Sequence, residues 1–95
     1  MKLIRIGPSS SAGKKMMAVF EDNGRTKTIH FGQAGADDYT KTKDKAQRDR
    51  YLTRHRARED WDDPTSAGAL ARWILWGDST SIQTNIASFK RRFDL

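Results

Sequence analysis

Two histidines, scattered carboxylates and a dense run of arginines are the residues that could do chemistry in this chain. His30 and His55 are its only imidazoles. Joined by an Asp or Glu they would form a metal-dependent nuclease-like site, in which a bound ion activates water. That requires a sheet covered on both faces. His30 is expected on the less apolar face of a hairpin, and His55 on a helix face with Tyr51 and Leu52. A nuclease therefore stands as the remote alternative. Asp37 and Asp38 lack further ligands at a useful spacing and read as solvated loop acids. The acidic knot Glu59-Asp60-Trp61-Asp62-Asp63 also has no ligand spacing. Cysteine is absent, which excludes disulfides and thiolate metal sites. The loop from Gly7 to Gly13 leads into Lys14 and Lys15, but lacks the full GxxxxGK(S/T) pattern of a phosphate-binding loop and no helix follows it. No serine occupies a nucleophile elbow. The chain reads as a non-enzymatic protein with no cofactor.

The stronger signal is basic. Lysine and arginine number 18 against 12 carboxylates, for a formal net charge of +6 in 95 residues. Residues 41–58 alone hold eight basic and two acidic side chains, a local excess equal to that of the whole chain. Arg50, Arg54 and Arg58 recur at i, i+4, i+8, a row along one side of a helix, with Lys45 and Arg56 on the other flank. Lys90, Arg91 and Arg92 would extend this surface from the last turn of a later helix, where cations also suit the helix dipole. Such a surface suits a polyanion. The competing reading is a solvated helix whose arginines meet nearby acids, with the acidic knot as the obvious source.

These residues must be positioned by a fold, and the one long apolar run organises it. Residues 67–77, AGALARWILWG, predict a central helix opened by Asp63-Pro64, with Ser66 as a competing cap, and closed by Gly77 at C′. Leu70, Trp73 and Ile74 share a face with Ala67, while Leu75 and Trp76 lie on others. Gly68 implies the close approach of another backbone. The run is too short to span a bilayer. Before it, residues 16–22 and 25–31 flank Asn23-Gly24, the preferred type I′ hairpin turn. A two-residue loop then opposes Phe20 to Lys27, Ala18 to Ile29 and Met16 to Phe31, and puts Met17, Val19, Thr28 and His30 on the second face. Residues 2–6 form an edge strand with Ile4 and Ile6 on one side, and Tyr39 packs back on the core. A helix over residues 43–58 carries a capping box at Asp44 and Gln47. Trp61 plugs the corner between helices. Thr80-Ser81-Ile82-Gln83 caps a last helix with the stripe Ile82, Ile86, Phe89 and Phe93.

The expected fold is thus α+β: a three-stranded antiparallel meander in residues 1–32, then three helices in residues 42–93 packed on one face, as a single domain of 95 residues. The expected core is Ile4, Ile6, Met16, Ala18, Phe20, Ile29, Phe31, Tyr51, Leu52, Leu70, Trp73, Ile74, Ile82, Ile86 and Phe89.

His30-Phe31-Gly32, Asp38-Tyr39-Thr40, Lys43-Asp44, Arg48, Tyr51 and Arg54-His55 form the first half of a pattern. Trp61-Asp62-Asp63-Pro64, Ala67-Gly68, Arg72-Trp73-Ile74-Leu75-Trp76, Ile86 and Arg91-Arg92-Phe93 form the second. Together, from Lys15 to Phe93, they resemble a family of small uncharacterised basic proteins from large double-stranded DNA viruses and marine viral sequences. The Trp-Ile-Leu-Trp block is the most specific part. The resemblance implies a viral setting and transfers no site residue. The leading expectation is a protein that contacts nucleic-acid phosphates, DNA in preference to RNA, without base readout. The alternative is a minor structural or capsid-associated virion protein whose basic face meets an acidic viral surface, with Met17, Val19 or Trp76 exposed for a neighbour. Neither involves a membrane. Both place the protein inside a host cell, in cytoplasm or nucleus, or in the virion.

Overall fold

Asn23 and Gly24 adopt φ of 53° and 80°, the two left-handed positions that a type I′ turn demands. They close a hairpin in this structure, a computed structural model that describes residues 1–95. Strands β2 (Lys14–Asp22) and β3 (Arg25–Gln33) pair with Phe20 opposite Lys27, Ala18 opposite Ile29 and Met16 opposite Phe31. The turn therefore fixes the register that the sequence predicts, over a longer ladder than residues 16–31. Strand β1 (Lys2–Pro8) pairs antiparallel with β2, giving the order β1-β2-β3.

Ile4 corrects the sequence reading. The β1–β2 register shifts between Leu3 and Arg5, so that Leu3 opposes Phe20 and Ile6 opposes Ala18. Ile4 is the extra residue of a bulge and is 47% exposed. One inserted residue reverses which face each side chain takes, so Leu3 replaces Ile4 beside Ile6 on the core side.

Helices cover one sheet face. A short α1 (Tyr39–Thr42), not anticipated, is capped by Asp38 and closed by Lys43 at φ 59°. Helix α2 (Lys45–His55) therefore starts after Lys43 and stops before Arg58. Asp44 accepts from the Gln47 amide at 3.1 Å, but Gln47 returns to the Thr42 hydroxyl rather than to Asp44, so the capping box is only half made. The central segment also differs from a plain helix. Ser66, not Asp63, caps α3 (Ala67–Leu70), while Asp63 holds the Thr65 amide and hydroxyl. A π-helical turn then runs from Ala71–Leu75, closed by the Trp76 amide donating to the Ala71 carbonyl at 3.0 Å. The wider turn brings Ile74, Leu75 and Trp76 inward together. Leu75 and Trp76 are thus core residues, and Trp76 is not a surface anchor. Trp73 is only half-buried, its indole N–H donating to the Trp61 carbonyl at 2.8 Å.

Gly77 is not in the left-handed region. It is small because a Cβ there would strike the Trp73 carbonyl and Asn85. At Gly68 the close neighbour is the Glu59 side chain, 2.5 Å from a built Cβ, and not another backbone. Helix α4 (Ile82–Phe93) starts from Ser81, one residue later than the Thr80 cap expected. Ile86 and Phe89 are buried, whereas Ile82, Ile29 and Ile6 are half-buried at the core margin. The buried Asn85 of α4 was not foreseen. Its side-chain amide donates to the carbonyls of Ile74 at 2.9 Å and Ser79 at 2.7 Å, and its oxygen accepts from the Ser79 amide at 3.0 Å. It ties the end of the π turn to the following loop.

Candidate functional site

Helix α2 presents the basic surface. Lys45, Arg50 and Arg54 lie within it and are exposed. Arg56 is its C-cap and Arg58 sits on the turn beyond, so the expected row of three arginines is interrupted at the helix end. Asp49, Arg50, Thr53 and Arg54 line a shallow groove on the outer side. The side-chain ion pairs are Lys15–Asp38, Lys41–Asp37, Arg48–Asp78 and His55–Glu59. None uses Lys45, Arg50, Arg54, Arg56 or Arg58. The acidic knot is occupied elsewhere: Glu59 faces His55 and the Trp61 indole N–H, Asp60 accepts from the Asp62 amide, and Asp63 holds Thr65. Hydrogen bonding to Thr65 holds the Asp63 carboxyl below its usual range.

Lys90, Arg91 and Arg92 are exposed at the end of α4. Arg91 donates to the Ser88 hydroxyl at 3.2 Å, and Arg92 lies over the Trp73 ring, 3.6 Å from its centroid. Arg72, unmarked by the sequence reading, also contacts that ring at 4.2 Å and the Trp61 ring at 5.1 Å. Arg48 Nε and Arg72 Nη1 both donate to the Trp76 carbonyl, at 3.1 and 3.2 Å. Arg48, paired with Asp78, and Arg72 meet at the Trp76 carbonyl, and Arg72 and Arg92 meet at the Trp73 ring, which links α2 to α4. Burial first, then the neighbouring Arg48, holds the Arg72 guanidinium below its usual range, with Arg92 adding to the effect and Asp78 opposing it. Arg72 Nε is buried without a hydrogen-bond partner. The signal that could have found Arg72 is a single charge inside the most apolar run of the chain.

Next to the arginine row is a cleft of about 540 Å³, between α2, the α3–π segment and the loop after β3. One wall is a stack of rings. Tyr51 lies between His55, at 4.1 Å and 24°, and Trp76, at 4.2 Å and 6°. His55 Nδ1 is 3.2 Å from Glu59 Oε1. Burial, then the Glu59 charge, pushes the Tyr51 phenol well above its usual range. Asp38 and Lys15 close the far side at 2.6 Å, and Lys15 also donates to the Ala36 carbonyl. Asp38 is therefore a buried cap and ion-pair partner, whereas the sequence reading left it solvated in a loop. Arg54 belongs both to the basic row and to the cleft lining.

The histidines do not converge. His30 lies on the second face of the sheet, opposite Met17, and hydrogen-bonds the Ser9 hydroxyl at 2.7 Å. His55 lies on the core side, against Tyr51. The site imagined from both is not formed, because helices cover only one sheet face. No group of three or more His, Cys, Asp or Glu side chains is placed to hold a metal ion.

The fold and this surface define a small α+β protein with a basic helix laid beside an aromatic cleft. The chain belongs to a family described as a family of unknown function (DUF5754), matched over residues 4–55. The match takes in the meander and α2 through His55, and ends before the Trp-Ile-Leu-Trp block on which the resemblance to viral proteins most depends. No curated protein and no solved structure matches the chain. No helix is long and apolar enough to cross a membrane.

Proposed function

We propose that this protein binds nucleic acid through the phosphate backbone, DNA in preference to RNA, without reading sequence. The observation that carries the proposal is the set of exposed cations on and just beyond α2, none within ion-pair distance of a carboxylate. Glu59, Asp60 and Asp63 make local contacts instead, so placing a phosphate on an arginine here breaks no existing pair. Each phosphate neutralised also releases counterions. Lys90, Arg91 and Arg92 extend the surface, with the line of Arg48, Arg72 and Arg92 between. The residues proposed to make the contacts are Lys45, Arg50, Arg54, Arg56, Arg58, Lys90, Arg91 and Arg92. The preference for DNA and the viral setting rest on the sequence resemblance alone.

A protein-docking role gains less. Across the second sheet face Val19 sits between Arg5 and Thr28, and Met17 between Gly7 and His30, so the two apolar side chains gain no apolar cross-strand neighbour. The test is fluorescence anisotropy with short DNA and RNA over a salt series, for the wild type and for Arg50, Arg54 and Arg58 all changed to Ala. Binding should weaken steeply with salt, and the triple variant should lower the log–log slope by about 2–3 while remaining folded. Absent binding at low salt would overturn the proposal and bring forward an acidic protein surface, such as a virion component, as the partner.

A further inference from the structure

We infer that the cleft beside α2 takes an unstacked base of a single strand whose phosphates lie on the arginine row, an inference that rests on the phosphate-binding reading above. Three observations carry it. The cleft, at about 540 Å³, is within the range of small-molecule pockets and has room for one nucleobase. Its wall is already a stack of three rings, Trp76, Tyr51 and His55, and the imidazole at the open end is 38% exposed in its side chain. Stacking on Tyr51 at 4.1 Å holds one face of that imidazole, and Glu59 Oε1 lies 3.2 Å from its Nδ1, so a base laid on the ring meets a surface ordered in advance. Finally, Arg54 borders both the cleft and the outer groove with Arg50, which puts a phosphate contact adjacent to the stacking face.

The geometry discriminates between strands. Bases paired and stacked inside a duplex cannot enter a cleft, whereas a single strand presents them freely. Stacking is tolerant of base identity, because every base has a π face, in keeping with a surface that does not read sequence.

The experiment measures anisotropy of labelled 12-mers, single-stranded and as the matching duplex, against four full-length proteins. These are wild type, His55→Ala, His55→Phe and Ala67→Gln. Ala67 is exposed and lines the cleft, so a longer neutral side chain there obstructs it without touching the core or the charge. Wild type should prefer the single strand. His55→Ala and Ala67→Gln should each weaken single-strand binding by roughly 10-fold and leave duplex binding within about twofold, while His55→Phe keeps the preference. Equal affinity for both forms, or indifference to Ala67→Gln, would overturn the cleft assignment while leaving the phosphate reading intact. No binding to either form would overturn both.

Discussion

At the scale of single residues, the structure spends its buried polar groups on fixing the aromatic and basic framework. Asn85 satisfies three backbone groups around the π turn. Truncating it removes one partner from two carbonyls and one amide, the Ile74 carbonyl among them buried. Asn85→Ala should therefore cost about 2–4 kcal/mol in urea unfolding, since each unsatisfied buried group costs about 1–3 kcal/mol and relaxation recovers part. A loss under about 0.5 kcal/mol would show that the loop does not depend on it. Tyr51 gives a prediction in pH. Burial, then Glu59, raises its pKa in the folded state above the unfolded value near 10. In alkali the unfolded chain loses the phenolic proton first. The stability this group contributes is thus complete below about pH 10 and falls as pH rises above it. Tyr51→Phe should flatten the decline in Tm above about pH 10. An alkaline limb as steep as in the wild type would remove Tyr51 as a source of it.

At the scale of elements, the segment following Ser66 decides how the helical layer meets the sheet. A regular α-helix would have placed Leu75 and Trp76 away from the Leu70–Ile74 face. The π turn rotates both inward, where Trp76 can stack on Tyr51 of α2. The same turn leaves Ile74 and Trp76 carbonyls for side chains: Asn85 takes the first, and Arg48 and Arg72 the second. The segment is therefore both core and junction. Leu70 and Ile74 are fully buried, and Leu70→Ala or Ile74→Ala should each cost about 2–5 kcal/mol, enough to threaten a domain this small. Chemical denaturation would check this, and a loss below about 1 kcal/mol would mean that the segment is not central to the core. Helix α2 is less dependent on its own sequence. Its outer side is polar, and only Tyr51 and Leu52 are buried, so its hold on the body comes from them and from Arg48 reaching Trp76, Gly77 and Asp78.

At the scale of the whole molecule, charge and apolar surface are segregated. Glu59, Asp60 and Asp63 of the acidic knot make short local contacts and leave the exposed cations of α2 and the end of α4 without carboxylate partners, in a chain whose formal net charge is +6. Much of what depended on neighbours along the chain was legible in the sequence, although the short helix α1 and the starting residues of the segment after Asp63 and of α4 were not. Asn23-Gly24 set the hairpin and its register, because a two-residue loop allows only one pairing. The cap at Asp44 and the stripe of α4 followed from bonds and faces three or four residues apart, whereas the choice of Ser66 over Asp63 as the cap of α3 did not, because Asp63 bonds Thr65 instead. The exposed arginines were legible too, since a long charged side chain on a helix with no apolar neighbours stays in water. Tertiary structure alone decided the rest. The bulge that ejects Ile4 depends on pairing with β2, and Asp38 is buried only because Lys15, from a strand distant in sequence, arrives to neutralise it. The π turn is packed against α4 and β3, and Arg72 reaches back to Trp61, which no local period connects to it. These are contacts between residues far apart along the chain, and their energies exist only once the layers have come together.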